Sequence, residues 1–190
     1  MHMATVRKYS LRQWICAVLW ALVGPLVSPS HTASQDVPPI PEPEYTLRLF
    51  HTHTKEHLEV VYRVGDRYLP EALDTLDDFL SDFRTGGTKP FDPRLFDLLV
   101  DLTKAAGKPD AEINILSAYR SPESNAYLRR TTRGVAKHSL HMQAEAMDIR
   151  IPDVKTSQLR KLAMGMKRGG VGYYPRSNFV HVDVGEIRYW

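Results

Sequence analysis

The sequence predicts an α+β domain: a small antiparallel sheet packed with helices and preceded by an N-terminal β-hairpin. Three observations lead there. Short runs that alternate apolar and polar residues recur at Thr46–Phe50, Leu58–Val64, Ile113–Ala118, Ala146–Ile151 and Val180–Val184, and a period of two is the mark of a half-buried strand. Leucines at helical spacing fill 70–83 and the stretch that begins at Pro93. The helices precede and interrupt the strands.

From the start of the chain, residues 1–34 read as an export signal or N-terminal anchor. Arg7, Lys8 and Arg12 precede an apolar run from Trp14 to Val27, broken by Gly24 and Pro25. A spanning helix needs about 20 apolar residues, so this shorter run fits the apolar part of an export signal. Arg7 to Arg12 faintly resembles a twin-arginine signal, and no lipobox precedes Cys16. Residues 35–44 carry Pro38, Pro39, Pro41 and Pro43 and read as an extended spacer. Residues 45–190 then form one domain, long enough for a core of its own. It starts with a hairpin from Tyr45 to Val64. A helix follows from Pro70 to Phe83, with proline in the first turn where its missing N–H does no harm, and Leu73, Leu76, Phe79, Leu80 and Phe83 face the core. Thr85-Gly86-Gly87-Thr88 breaks the chain. A second helix starts at Asp92-Pro93 with Asp92 as N-cap, and Leu95, Leu98, Leu99 and Leu102 form its apolar stripe. The strand at 113–118 is followed by a short helix at Pro122–Arg130, and a last helix spans Thr156–Lys167.

Chemistry concentrates on the last strands. Asp148 lies on the polar parity of 146–151, and His181 and Asp183 lie on the polar parity of the final strand. If these two strands are antiparallel neighbours, Asp148 and His181 come together, and His141 reaches them from the preceding loop. Three such ligands leave a fourth position for water on a catalytic zinc ion, which lowers the pKa of that water toward about 7. The alternative is that these are plain surface residues at strand ends.

Several motifs together resemble the YcbK-type murein endopeptidases of the zinc D-Ala-D-Ala peptidase and hedgehog-like superfamily: Ser117-Ala118-Tyr119-Arg120-Ser121-Pro122-Glu123-Ser124-Asn125, Lys137-His138-Ser139-Leu140-His141, Ala146-Met147-Asp148-Ile149-Arg150, and Gly170-Val171-Gly172-Tyr173-Tyr174-Pro175 through His181-Val182-Asp183-Val184-Gly185 to Arg188 and Trp190. The resemblance spans roughly Tyr45 to Trp190. It implies His141, Asp148 and His181 as zinc ligands and Arg120 as the cation that meets the growing negative charge on the attacked carbonyl. It further implies an exported zinc metallopeptidase that cuts amide bonds in peptidoglycan stem-peptide cross-links, the 3-3 cross-link between diaminopimelate residues being the most specific suggestion. Two departures stand out. Ala144 replaces a usual glycine, where a side chain restricts φ. Asn178 stands three residues before His181, where better-known relatives carry an acid, so the general base is open. Asp183 is a candidate for it, or alternatively the group that orients a zinc histidine.

Other readings remain. A D,D- or L,D-carboxypeptidase would use the same zinc site, and a noncatalytic zinc-containing cell-wall binding domain is the rival of another class. His138, three residues before His141, can compete as a ligand, but a loop position that contacts substrate, or nothing, fits it better. Glu145 lacks the HExxH order of a zincin base. His51, His53 and His57 sit in what reads as an exposed hairpin connection, a compositional hint of metal and no more. Tyr68, Tyr173 and Tyr174 suit a groove or a core. Arg129, Arg130, Arg133 and Lys137 make a basic run that reads as a solvated helix end. Cys16, the single cysteine, lies in the export segment, which excludes disulfides, cysteine-ligated zinc and a cysteine nucleophile from the domain. The formal charge of +3 falls to about zero once 1–34 is removed, so nucleic acid is not an expected partner. A monomer with no stable membrane insertion of the mature domain, in the periplasm or cell envelope, is expected.

Overall fold

The structure, a computed structural model, describes residues 41–132 and 134–190; the export segment, most of the spacer and Arg133 lie outside the described residues. In chain order the elements are β1 (Glu44–His51), β2 (His57–Val64), β3 (Arg67–Tyr68), α1 (Pro70–Phe79), α2 (Pro93–Ala105), β4 (Ile113–Ser117), α3 (Pro122–Thr131), a 3-10 turn (Leu140–Gln143), β5 (Ala146–Arg150), α4 (Thr156–Met166), β6 (Val171–Tyr174) and β7 (Phe179–Asp183). The α+β class is as expected.

One seven-stranded sheet in the order β3-β2-β1-β4-β5-β7-β6 contains all the strands. The hairpin is therefore not an appendage: β1 joins the rest through a parallel pairing with β4, with Leu49 opposite Ile113. Every other pairing between these strands is antiparallel. One parity of the strands is the core face. Leu47, Leu49, Ile113, Ile115, Met147, Ile149, Val180 and Val182 are buried there against Leu76 of α1, Leu95, Leu99 and Leu102 of α2, and Leu159 of α4. Each such side chain contributes roughly 2 kcal/mol by leaving water.

Helix boundaries follow local chemistry. Asp92 caps α2 by accepting the Arg94 N–H at 2.9 Å. The helix expected over 70–83 ends at Phe79, because Asp82 turns its carboxylate back onto the Arg84 N–H at 3.1 Å, a local bond that competes with the helical ladder. Phe83, expected on that helix, instead stacks on His53 with ring centroids 4.0 Å apart. Among the described residues no helix is long and apolar enough to cross a membrane.

Candidate metal centre

The parity of β5 and β7 opposite the core carries the polar side chains. Asp148 is directly across from His181, and Gly172 of β6 flanks His181 on its other side. Ser117 of β4 faces Asp148 past a bulge. Ser117, Asp148, His181 and Gly172 thus form one row over four strands, because residues paired in register share a face. His141 joins them from the 3-10 turn.

Three atoms converge above this row. His181 Nδ1 lies 3.0 Å from Asp148 Oδ1 and 3.2 Å from His141 Nε2, and His141 Nε2 lies 3.4 Å from Asp148 Oδ1. The opposite ring nitrogens fix the tautomers. His141 Nδ1 sits 2.8 Å from the Ala118 carbonyl, which can only accept, so that nitrogen carries the proton. His181 Nε2 donates to Asp183 Oδ2 at 3.0 Å. Both protons are committed outward, and two ring lone pairs and a carboxylate oxygen point at one small volume. Burial opposes charge on Asp148, but the two histidines outweigh it and hold its pKa far below the carboxylate range. Burial likewise opposes a charged His181, and the bonds to Asp148 and Asp183 outweigh it and raise its pKa. Among the described residues this is the only group of three such side chains placed to hold a metal ion.

Asp183 stands on the far side of the His181 ring from that centre and is 0% exposed. Its Oδ1 accepts the N–H groups of Gly170 (2.8 Å) and Gly185 (3.0 Å), and the Arg188 guanidinium closes on both oxygens at 3.2 and 2.7 Å. Burial pushes its pKa up, and the bonds from His181 and the two glycine N–H groups bring it below the ordinary range. A Cβ on Gly170 would lie 2.4 Å from Asp183 Oδ2, so only glycine lets the backbone approach this carboxylate.

The Ala118–Arg120 segment and His141 are clasped at two points. Arg120 N–H donates to the His141 carbonyl at 3.1 Å, while the His141 ring donates to Ala118. The guanidinium reaches Ser117 Oγ at 3.2 Å and Asn125 Oδ1 at 3.4 Å, and its Nε is buried with no hydrogen-bond partner among the described residues. Burial lowers its pKa and Asp148 opposes the shift. Asp82, 1% exposed, accepts the Ser121 N–H at 2.9 Å and so fixes the turn just after Arg120.

A cleft of about 560 Å³ opens over the three converging atoms, lined among others by Arg120, His138, Tyr174, Phe179, Arg188 and Trp190. Asn178 is not among its lining residues: it sits in the β6–β7 turn at φ +54, with its side chain on Thr156 and its carbonyl accepting from Arg150. Glu145 holds the end of the sheet through its carbonyl, which accepts the Val184 N–H. Tyr68 donates to Asp97 at 2.6 Å and Tyr173 packs under Arg160, so of the three tyrosines only Tyr174 reaches the cleft. Lys137, Arg129 and Arg130 are exposed and outside it. The histidine-rich connection needs correction: His51 ends β1 on the core parity, is 1% exposed, and accepts the Thr54 N–H at Nδ1. The adjoining Leu47 and Leu49 parity was the signal for it.

Spacing gave no sign of Asp82, nor of the roles of Gly170 and Gly172, whose importance lies in what a Cβ would strike. A family model described as "Peptidase_M15_2: Peptidoglycan L,D-endopeptidase MepK" matches residues 41–190. The chain is 44% identical over 146 residues to the peptidoglycan L,D-endopeptidase MepK of Escherichia coli (strain K12), covering 76% of this chain and 79% of that one. It is 39% identical over 138 residues to a probable peptidoglycan L,D-endopeptidase MepK of Haemophilus influenzae, covering 73% and 74%.

Proposed function

This chain belongs to the Peptidase_M15_2 family of peptidoglycan L,D-endopeptidases, and from that premise we propose that it hydrolyses amide bonds in peptidoglycan stem-peptide cross-links with a zinc ion held by His141, Asp148 and His181. It is a peptidase acting on peptidoglycan, and the 3-3 cross-link between diaminopimelate residues is the bond we assign to it. The observation that carries the zinc reading is the convergence of three unprotonated acceptor atoms on the floor of a cleft. Their separations of 3.0, 3.2 and 3.4 Å suit the edges of a tetrahedron with ligand bonds of about 2.0–2.1 Å. An imidazole whose other nitrogen donates to a carboxylate, as His181 does to Asp183, is the usual arrangement around such an ion.

Zinc, when bound, supplies Lewis acidity and brings a water molecule within reach of deprotonation at neutral pH. The protein does the rest. Arg120, charged and held by Ser117 and Asn125, presents its guanidinium to the carbonyl oxygen where negative charge grows. Asp183, with both oxygens engaged behind His181, orients that ring rather than accepting the proton of the attacking water. His138 lines the cleft outside the ligand set and takes the proton-accepting role in this reading. Residues 1–34 export the chain and 35–44 space residues 45–190 from it, which puts the monomeric enzyme in the periplasm or cell envelope beside its substrate.

The test is a digest of purified peptidoglycan by the zinc-loaded chain beside a His181→Ala control, with products identified by mass spectrometry. Cross-linked dimers converted to monomers by the intact site alone support the reading. Release of free terminal residues in place of monomers would replace it with a carboxypeptidase.

A further inference from the structure

Trp190 is a large apolar side chain that is ordered and yet exposed. Its backbone N–H donates to Val171 O at 3.2 Å and its carbonyl accepts from Tyr173 N at 3.0 Å, which adds the end of the chain to the β6 edge of the sheet. The indole N–H donates to the Tyr174 hydroxyl at 2.9 Å. The ring lies 5.2 Å from the His181 ring and 5.3 Å from the Arg188 guanidinium. It is therefore held at its backbone, at its polar atom and along its flank, yet it is 46% exposed. Of the described exposed large apolar residues, Tyr127, Ile187, Tyr189 and Trp190, only Trp190 lines the cleft.

Gly172 explains how the ring got there. It completes the row Ser117, Asp148, His181, and a Cβ at that position would come within 2.7–2.8 Å of three indole atoms. The indole occupies the space that a side chain beside His181 would otherwise fill. A large ring already ordered in the free protein spares the binding step the entropic cost of fixing it. With its one polar atom turned onto Tyr174, the ring offers the cleft only π-face and C–H edge, a surface that takes aliphatic groups. Arg120, which takes anions and carbonyl oxygens, also lines this cleft.

We propose that the Trp190 indole, seated over Gly172, is a binding subsite for the aliphatic part of the stem-peptide residue at the bond being cut. This rests on the peptidoglycan reading above and adds to it the side-chain chemistry that the cleft selects: methylene or methyl groups laid against the indole.

Two measurements test it. In the first, a purified cross-linked muropeptide dimer is added to the full chain stripped of metal by a chelator, so that binding proceeds without turnover, and tryptophan emission is recorded. The chain has two other tryptophans, Trp14 and Trp20, so Trp190→Phe is the control. A shift in the unmodified chain that is absent in Trp190→Phe is expected; a shift of equal size in both, or one evoked by glycan strands freed of peptide, overturns the proposal. The second is steady-state cleavage by the zinc-loaded chain. Trp190→Ala is expected to raise KM about tenfold or more while kcat stays within about threefold, the pattern of lost binding of an apolar group, with zinc stoichiometry unchanged. Gly172→Ala, which displaces the ring with Trp190 intact, should shift KM the same way and covers the case in which Trp190→Ala does not fold. KM within about twofold of the parent in whichever variant retains zinc overturns the subsite. A parent chain that cleaves no dimer at all counts instead against the peptidoglycan reading, so the two failures are separable.

Discussion

Asp183 shows how much of a side chain's role is decided by groups remote in sequence. Two residues beyond His181 on one strand, it has the position of either a base or an orienting partner, and spacing does not choose between them. Gly170, 13 positions upstream, and Arg188, five downstream, engage its oxygens, which supports the orienting role proposed above. We expect Asp183→Asn to lower zinc affinity about 10- to 100-fold, the usual loss when the group behind a ligating histidine is altered, with hydrolysis falling alongside. Metal titration monitored by calorimetry checks it, and unchanged zinc affinity with hydrolysis lost would return Asp183 to the role of base. Asp82 is a second buried carboxylate, this one beside Arg120. Burial works against its charge, and the serine hydroxyls and N–H groups around it outweigh that and bring its pKa from 3.8 down to about 2. Since the folded pKa lies below the unfolded one, its contribution of roughly 2 kcal/mol is present in full above about pH 4 and is lost as the pH falls toward 2. Asp82→Asn should remove it at neutral pH, and denaturant unfolding of the two proteins at pH 7 and pH 3 should show the gap narrowing in acid.

Among the elements, those with a strong period were legible. The alternation in β5 and β7 predicts which residues face each other, because a strand offers only two faces; the leucine stripe of α2 and its Asp92 cap are equally local. The end of α1 was not legible, since Asp82, which turns back onto the Arg84 N–H there, is itself held by Ser121, 39 positions away. The turn that carries His141 closes on Ala144, fully buried at φ +57 and ψ +37, with its carbonyl bonded to the Asp92 N–H at the start of α2. A left-handed conformation costs an L-residue roughly 1–2 kcal/mol. Glycine would relieve that, lose about 0.5–1 kcal/mol in chain entropy, and give up a buried methyl group worth about 0.8 kcal/mol. The terms nearly cancel, so Ala144→Gly should leave the melting temperature almost unchanged. Ala144→Val adds a β-branched side chain to the same conformation in a site with no room, and should destabilise by several kcal/mol. Thermal melts of the two variants distinguish this from a tolerant loop.

At the scale of the whole molecule, the α+β class was legible because it needs only the number and kind of segments. The joining of hairpin to sheet was not, because no local pattern announces a parallel partner. The Thr52 hydroxyl bonds to the Ile115 carbonyl 63 positions along the chain. The proposed ligands come from two strands, β5 and β7, and the 3-10 turn, so an ion they hold together would bind the folded chain and not the unfolded one. At a free concentration about 1,000 times its dissociation constant it should add about 4 kcal/mol, or roughly 10 °C in melting temperature for a domain of this size. Melting with and without a chelator measures it.

The parallel seam between β1 and β4 is expected to divide the molecule in time as well. Asp148 and His181 are 33 positions apart, and Arg120, His141 and Trp190 all lie on the same side of the seam. Strands β4 to β7 can close on these shorter loops, whereas docking β1 onto β4 must draw together a loop about twice as long, and such distant pairings are formed slowly. Pulse-labelled hydrogen exchange during refolding should therefore find the amides between β5 and β7 protected before those between β1 and β4. The chemistry would then rest on the half of the sheet that assembles first, and the hairpin would arrive as a late clasp on a site already built.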